Sequence, residues 1–219
     1  MNIIVINASP RKRGNTAKLC KNVVEGVKSE NAEVEFINLY DYDFKGCVSC
    51  FACHLKKNIE NPLCFWRDEL KEILKKCLKA DGIIIGTPIY YGSITAYAQA
   101  FLERLLFAAD TYLLDEEGKR VSKIKKEIRT AMIYTMNVTE EMAYFNGEDQ
   151  LAIMRGYLTN IFGECESLYV YDTKQFRHYD AYVNNMFDPE HKKEQKEKQF
   201  PKDCKKAYEL GKRFGKEIE

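Results

Sequence analysis

The stretch GCVSCFAC, Gly46 to Cys53, packs Cys47, Cys50 and Cys53 into seven residues, and Cys64 follows in NPLCFW. The spacing C-x2-C-x2-C-x10-C puts three thiols within reach of one loop. Three chemistries compete for it. A single zinc ion takes paired CxxC hooks or mixed Cys/His ligands in a tight tetrahedron, and His54 is adjacent. An iron-sulfur cubane spreads its irons apart and suits three close cysteines with one distant ligand. The third reading is a set of thiols without a metal, packing the loop or remaining free.

A second group lies in NASPRKRGNTAK, Asn7 to Lys18, between an apolar run and a helical pattern. It carries the hydroxyl of Ser9, the cations Arg11, Lys12 and Arg13, then Gly14, Asn15 and Thr16 at a helix start. Free backbone N–H groups, the positive helix end and side-chain donors together form a cradle for one compact dianion. The plainer alternative is that Asn15 or Thr16 caps the helix while the arginines face water. Neither G-x-G-x-x-G nor G-x-x-x-x-G-K-[ST] is present, so dinucleotide and nucleoside-triphosphate loops are not indicated.

The third group is GTPIYYGSITAYAQAFLERL. Thr87-Pro88 leaves an apolar run, Ile89, Tyr90 and Tyr91 follow, and Gly92-Ser93 marks a turn into a helix. An apolar residue and two aromatics offer a wall to a flat ring, although tyrosines in such a place also serve as plain core. Beside an anion cradle they point to a phosphate-tailed aromatic cofactor.

Short, nearly all-apolar runs predict five strands: Asn2–Asn7, Glu33–Leu39, Gly82–Gly86, Ile128–Met136 and Glu166–Asp172. Helical patterns separate them from Asn15, from Arg67, from Ile94 and over roughly Glu140–Phe162, and a last helix is expected over Pro201–Ile218. Strands alternating with helices imply a parallel sheet with right-handed crossovers and a ligand at the carboxyl ends of the strands. Thr111–Ser122 reads as a hairpin or irregular insert, and HKKEQKEK after His191 as a solvated charged face.

With these motifs in these places, ASPRKRGNT, GTPIYYGSITAYAQAFLERL and the cysteine stretch between them, the chain resembles the flavodoxin-like NAD(P)H-dependent FMN reductases, including their iron-sulfur flavoprotein branch. The resemblance covers Met1 to about Thr173, leaving 174–219 as an extension with the last helix of one domain. It implies a three-layer, doubly wound five-stranded parallel sheet in order 2-1-3-4-5 with FMN across the strand ends. Ser9, Arg11, Arg13, Gly14, Asn15 and Thr16 would hold the phosphate. Pro88, Ile89, Tyr90, Tyr91, Gly92 and Ser93 would flank the isoalloxazine, with Thr135, Met136 and Asn137 as a third wall. It also implies electron flow from NAD(P)H through FMN to a quinone, free flavin or other acceptor, with no catalytic acid or base assigned. In the iron-sulfur branch, Cys47, Cys50, Cys53 and Cys64 would ligate a four-iron, four-sulfur cluster. A flavodoxin-type carrier is the alternative; such carriers are usually strongly acidic.

This chain is not acidic: 34 basic and 33 acidic residues among 219 leave a formal charge of +1. No global field draws it to nucleic acid or anionic membrane. The opening MNIIVIN lacks a secretory pattern, no apolar run approaches about 18 residues, and a cytoplasmic protein is expected. In that compartment the eight cysteines stay reduced, and Cys20, Cys77, Cys165 and Cys204 read as core. Tyr112 and the aromatic stretch Tyr179–Phe187 lie in long inserts and suggest a homodimer or homotetramer.

Overall fold

The computed structural model describes residues 1–145 and 148–217. Six strands occur: β1 Asn2–Asn7, β2 Glu33–Asn38, β3 Gly82–Tyr90, β4 Ser93–Ile94, β5 Arg129–Thr135 and β6 Cys165–Val170. The five long ones run parallel in the order β2-β1-β3-β5-β6, which in chain order of the long strands is the expected 2-1-3-4-5. The short β4 is an addition that the sequence did not signal. It pairs antiparallel with the end of β3, Ile89 opposite Ile94 and Tyr90 opposite Ser93.

Seven helices are described: α1 Asn15–Ser29, α2 Leu70–Lys79, α3 Ala96–Ala109, α4 Glu140–Phe145, α5 Glu148–Phe162, α6 Pro189–Glu194 and α7 Phe200–Gly215. The single helix expected from Glu140 is thus two elements, with residues 146–147 outside the described residues, as is Ile218 of the expected last helix.

Side chains alternate across the sheet because successive Cβ atoms of a strand point to opposite faces. Ile4, Ile6, Ile83, Ile85, Met132 and Tyr134 face α2, α3 and α5, while Ile3, Val5, Ile84, Ala131 and Ile133 face α1 and α7. Each fully buried aliphatic side chain contributes about 1.5–3 kcal/mol, so the apolar runs that announced the strands also weld the layers. Helix α7, outside the resembling part, is integral to the second layer. Gly26 of α1 and Gly211 of α7 let the helices touch through backbone: a Cβ at Gly211 would lie 2.1 Å from the Val23 carbonyl oxygen.

The charged run is not a uniformly solvated face. Lys192 in α6 is buried, because Asp172 and the Asn137 carbonyl oxygen accept hydrogen bonds from its ammonium. The insert is a small hairpin, with Leu114 bridged to Arg120 and Gly118 at φ 77° in its turn. Among the described residues no helix is long and apolar enough to cross a membrane.

Candidate functional site

The strand register brings the carboxyl ends of the five long strands to one edge of the sheet. Asn7 lies opposite Gly86 and Asn38, Pro88 opposite Thr135, and Thr135 opposite Val170. Over them opens a cleft of about 220 Å³ lined by Ser9, Arg11, Gly14, Asn15, Thr16, Pro88, Ile89, Tyr90, Thr135, Asn137, Thr173 and Gln175. Gly14 is the N-cap of α1, and its missing side chain makes no capping bond. No hydrogen bond among the described residues uses the backbone amides of Asn15 and Thr16. Those amides, the helix dipole and the Arg11 guanidinium are the donors that the expected anion cradle would use. The Thr16 and Thr135 hydroxyls lie 2.7 Å apart and lock the cradle to β5.

A second lock is Thr95, the N-cap of α3. Its hydroxyl donates to the Ala8 carbonyl at 2.8 Å and accepts from the Ala98 amide at 3.2 Å. The loop after β1 and the helix after β4 are thereby held together. Asn137, also in the lining, has its Oδ1 buried without a partner among the described residues. An orphaned acceptor in a polar cleft fits a ligand that presents a donor, as a flavin ring N–H or a ribityl hydroxyl would.

Five expected residues do not line this cleft. Arg13 lines an adjoining groove of about 620 Å³ with Lys12, Lys18, Lys174, Arg177 and Lys196. Tyr91 and Gly92 are the two-residue tip of the β3–β4 hairpin, at φ 51° and 76°, and Tyr91 is fully exposed. The turn is therefore Tyr91-Gly92, one residue before the expected Gly92-Ser93, because Ser93 is already paired with Tyr90. Met136 is buried in the core, and its backbone is spent on Val170 and Thr173. In its place stand Thr173 and Gln175, which the sequence reading missed. Arg11 donates to the Gln175 carbonyl at 2.9 Å and Asn15 to that of Lys174 at 3.0 Å, so this segment closes the cradle. The usable signal was positional: they follow a strand whose carboxyl end was already assigned to the ligand.

The cysteine stretch forms a separate cavity. Cys47, Cys50, Cys53 and Cys64 all line it, with Phe51, Phe65, Trp66, Phe107 and Arg104. Most of its loop is irregular and hangs from α3 by polar bonds. Glu103 accepts from the Cys47 amide at 3.2 Å, and Arg104 donates to the Lys45 carbonyl at 3.1 Å and the Trp66 carbonyl at 3.3 Å. His54 spends its Nε2 hydrogen on the Phe107 carbonyl at 3.0 Å. Arg104 is 1% exposed and pairs with Asp68.

Among the described residues no group of three or more His, Cys, Asp or Glu side chains is arranged to hold a single metal ion. The four thiols line one cavity of about 20 Å³, and what fits a multi-iron group there is the donor set itself, since thiolates are the ligands such a group takes. Burial pushes the Cys53 thiol up, the Lys123 ammonium pulls it down, and negative charge on Cys64 and Cys50 pushes it up again. Cys20 and Cys77, by contrast, are fully buried and pushed up to about 12 by burial, which makes them inert core thiols. Cys165 and Cys204 are only partly buried.

Residues 1–121 match the family model of NADPH-dependent FMN reductase. The chain is 38% identical over 104 residues to an iron-sulfur flavoprotein of Methanocaldococcus jannaschii, covering 48% of this chain and 51% of that protein. It is 39% identical over 104 residues to an iron-sulfur flavoprotein of Archaeoglobus fulgidus, 48% of each chain. The chain thus spans about half the length of the curated relatives it matches. In fold it is similar to an azoreductase from Bacillus anthracis at TM-score 0.68 and 15% identity, over 97% of this chain and 99% of that one.

Proposed function

The chain belongs to the NADPH-dependent FMN reductase family, and from that premise we propose that it is an FMN-dependent NAD(P)H oxidoreductase delivering electrons to a quinone, free flavin or other small acceptor. The observation that carries the reading is the strand-end cleft, whose lining joins the unused α1 amides and Arg11 with Asn137, whose Oδ1 has no partner among the described residues. FMN would supply the redox chemistry, taking a hydride from the nicotinamide and releasing electrons to the acceptor. The protein's part is to bind and orient. Asn15 and Thr16 amides with Arg11 would hold the phosphate, Pro88, Ile89 and Tyr90 would wall one side of the ring, and Asn137 and Thr173 the other.

Stoichiometric FMN binding together with steady-state NADPH or NADH oxidation in the presence of a quinone or free FMN is the expected result. FMN binding without turnover would favour the flavodoxin-type carrier, and failure to bind FMN would remove the reading.

The four thiols around one cavity favour a second component, consistent with the names of the relatives: a four-iron, four-sulfur cluster on Cys47, Cys50, Cys53 and Cys64. Such a cluster would supply one-electron transfer beside the hydride chemistry of FMN. Helix α3 starts at the hairpin of the cleft and carries Glu103 and Arg104 about 12 Å further along its axis, so it ties both sites to one rigid element. Iron and sulfide assays on anaerobically reconstituted protein, against Cys50→Ser, test this: iron negligible in both removes the cluster and leaves the flavin reading standing. A reducing cytoplasm would keep these thiols available.

Exposed Tyr112, Leu113 and Leu114 in one insert, and Tyr182, Val183 and Met186 in the other, support a homodimer or homotetramer. Light scattering is expected to report a multiple of 25.5 kDa.

A further inference from the structure

Lys123 is a buried charged group beside the cysteine cavity that has no role assigned to it. It is 3% exposed, and no carboxylate among the described residues lies within ion-pair distance of its ammonium. Its backbone N–H donates to the Ala109 carbonyl at the end of α3, at 2.8 Å. Its Nζ donates to the carbonyl oxygen of Cys53 at 2.7 Å. Asp110, the nearest acidic neighbour with any influence on it, is itself paired with Arg120. A buried ammonium answered by one neutral carbonyl carries a desolvation cost that no opposite charge compensates. The other buried cation of the region, Arg104, is different: Asp68 already neutralises it.

We propose that Lys123 is the positioning and charge-compensating residue of the cysteine site: its ammonium offsets the negative charge of the thiolate-bound group and raises that group's reduction potential. The proposal rests on the cluster reading above. Four thiolates around iron and sulfide leave the loaded site net negative, and one added electron, with no bond made or broken, leaves it more negative still. A fixed positive charge in a dry environment stabilises the second state more than the first. Cys53 and Lys123 are close enough for the charge of each to act on the other. The bond to the Cys53 carbonyl also fixes the backbone that aims the third thiol.

The test is an EPR-monitored redox titration of anaerobically reconstituted wild type, Lys123→Gln, Lys123→Met and Lys123→Arg, with iron, sulfide and FMN counted in each. Lys123 lines no part of the strand-end cleft, so FMN content is expected to be unchanged. The expected result is full iron in all four proteins, a midpoint shifted to more negative potential in the two neutral variants, and a wild-type midpoint in Lys123→Arg. Loss of iron in both neutral variants with retention in Lys123→Arg, at unchanged FMN content, also supports the proposal. A wild-type midpoint in either iron-loaded neutral variant overturns it, as does an equal fall in all three variants, which would mark a packing role. Absence of iron from the wild type itself overturns the cluster reading, and the proposal with it.

Discussion

The strand-end cleft and the cysteine cavity are built in opposite ways. The cleft stands on sheet register: β1, β3, β5 and β6 bring their carboxyl ends to one edge of the sheet, and its lining residues follow those ends. The cavity hangs on largely irregular chain, tied to α3 by a few buried polar side chains, chiefly Glu103 and Arg104. One site is secured by the apolar packing of the sheet beneath it, the other chiefly by a handful of polar bonds and ring contacts to α3. Damage to single polar groups is therefore expected to harm the cavity first, and damage to packing to harm the cleft.

Arg104→Ala is the largest expected break. It strips the partner from Asp68, whose carboxylate is 15% exposed and has one oxygen already buried without a bond. Removing one member of such a pair costs about 3 kcal/mol. Urea unfolding is expected to show that loss, with iron no longer retained. FMN affinity measured under native conditions should change little, and a parallel collapse of both sites would erase the contrast.

Gly86→Ala is the converse. A Cβ there would meet Cys20 Sγ at 2.3 Å and Thr16 Cγ2 at 3.1 Å, forcing α1 off the sheet just where Thr16 meets Thr135. Overpacking of this kind costs about 1–3 kcal/mol. Here FMN binding is expected to weaken while iron content holds, as read by flavin fluorescence titration and an iron assay.

What was legible in the sequence follows the same division. The parallel order, and the gathering of Ser9, Arg11, Gly14, Asn15, Thr16, Pro88, Ile89 and Tyr90 around one cleft, could be read because strand, loop and helix are contiguous there. Thr173 and Gln175 were missed since what ties Gln175 and its neighbour Lys174 to the cradle is backbone carbonyl oxygen, and side-chain type says nothing about that. Lys192 and Lys123 were missed because a lysine in a polar run looks solvated until the chain folds an acceptor onto it. That Tyr91 stands at the tip of the β3–β4 turn was not legible, because a non-glycine residue at positive φ leaves no mark in periodicity.

Within the cleft, Arg11 and Arg13 can be separated. Arg11 lines it and Arg13 only the neighbouring groove, so the two arginines are unequal. Losing a charge-assisted bond costs about 1.5–3 kcal/mol, or roughly 10- to 150-fold in affinity. Calorimetry should find that loss for FMN with Arg11→Ala and a several-fold smaller one with Arg13→Ala. The reverse ranking would move the phosphate toward the groove.

The smallest effect is expected at Tyr91, and it carries the opposite sign. The two-residue hairpin between Tyr90 and Ser93 needs positive φ at both tip positions, which Tyr91 supplies at 51° and Gly92 at 76°. A tyrosine held there costs about 1 kcal/mol relative to a residue that tolerates the left-handed region, and its fully exposed ring recovers none of that by burial. Tyr91→Asn creates the Asn-Gly pair that such turns favour, and is expected to stabilise the fold by up to about 1 kcal/mol in urea unfolding. A residue kept at a conformational cost on the rim of a cleft is more readily explained by what it meets there than by the fold beneath it. FMN affinity, acceptor turnover and oligomer mass of Tyr91→Asn are the paired readouts. A gain in stability with all three unchanged would make Tyr91 a bystander of the turn. A gain in stability bought with a loss in any one of them would identify the ring as part of the working surface.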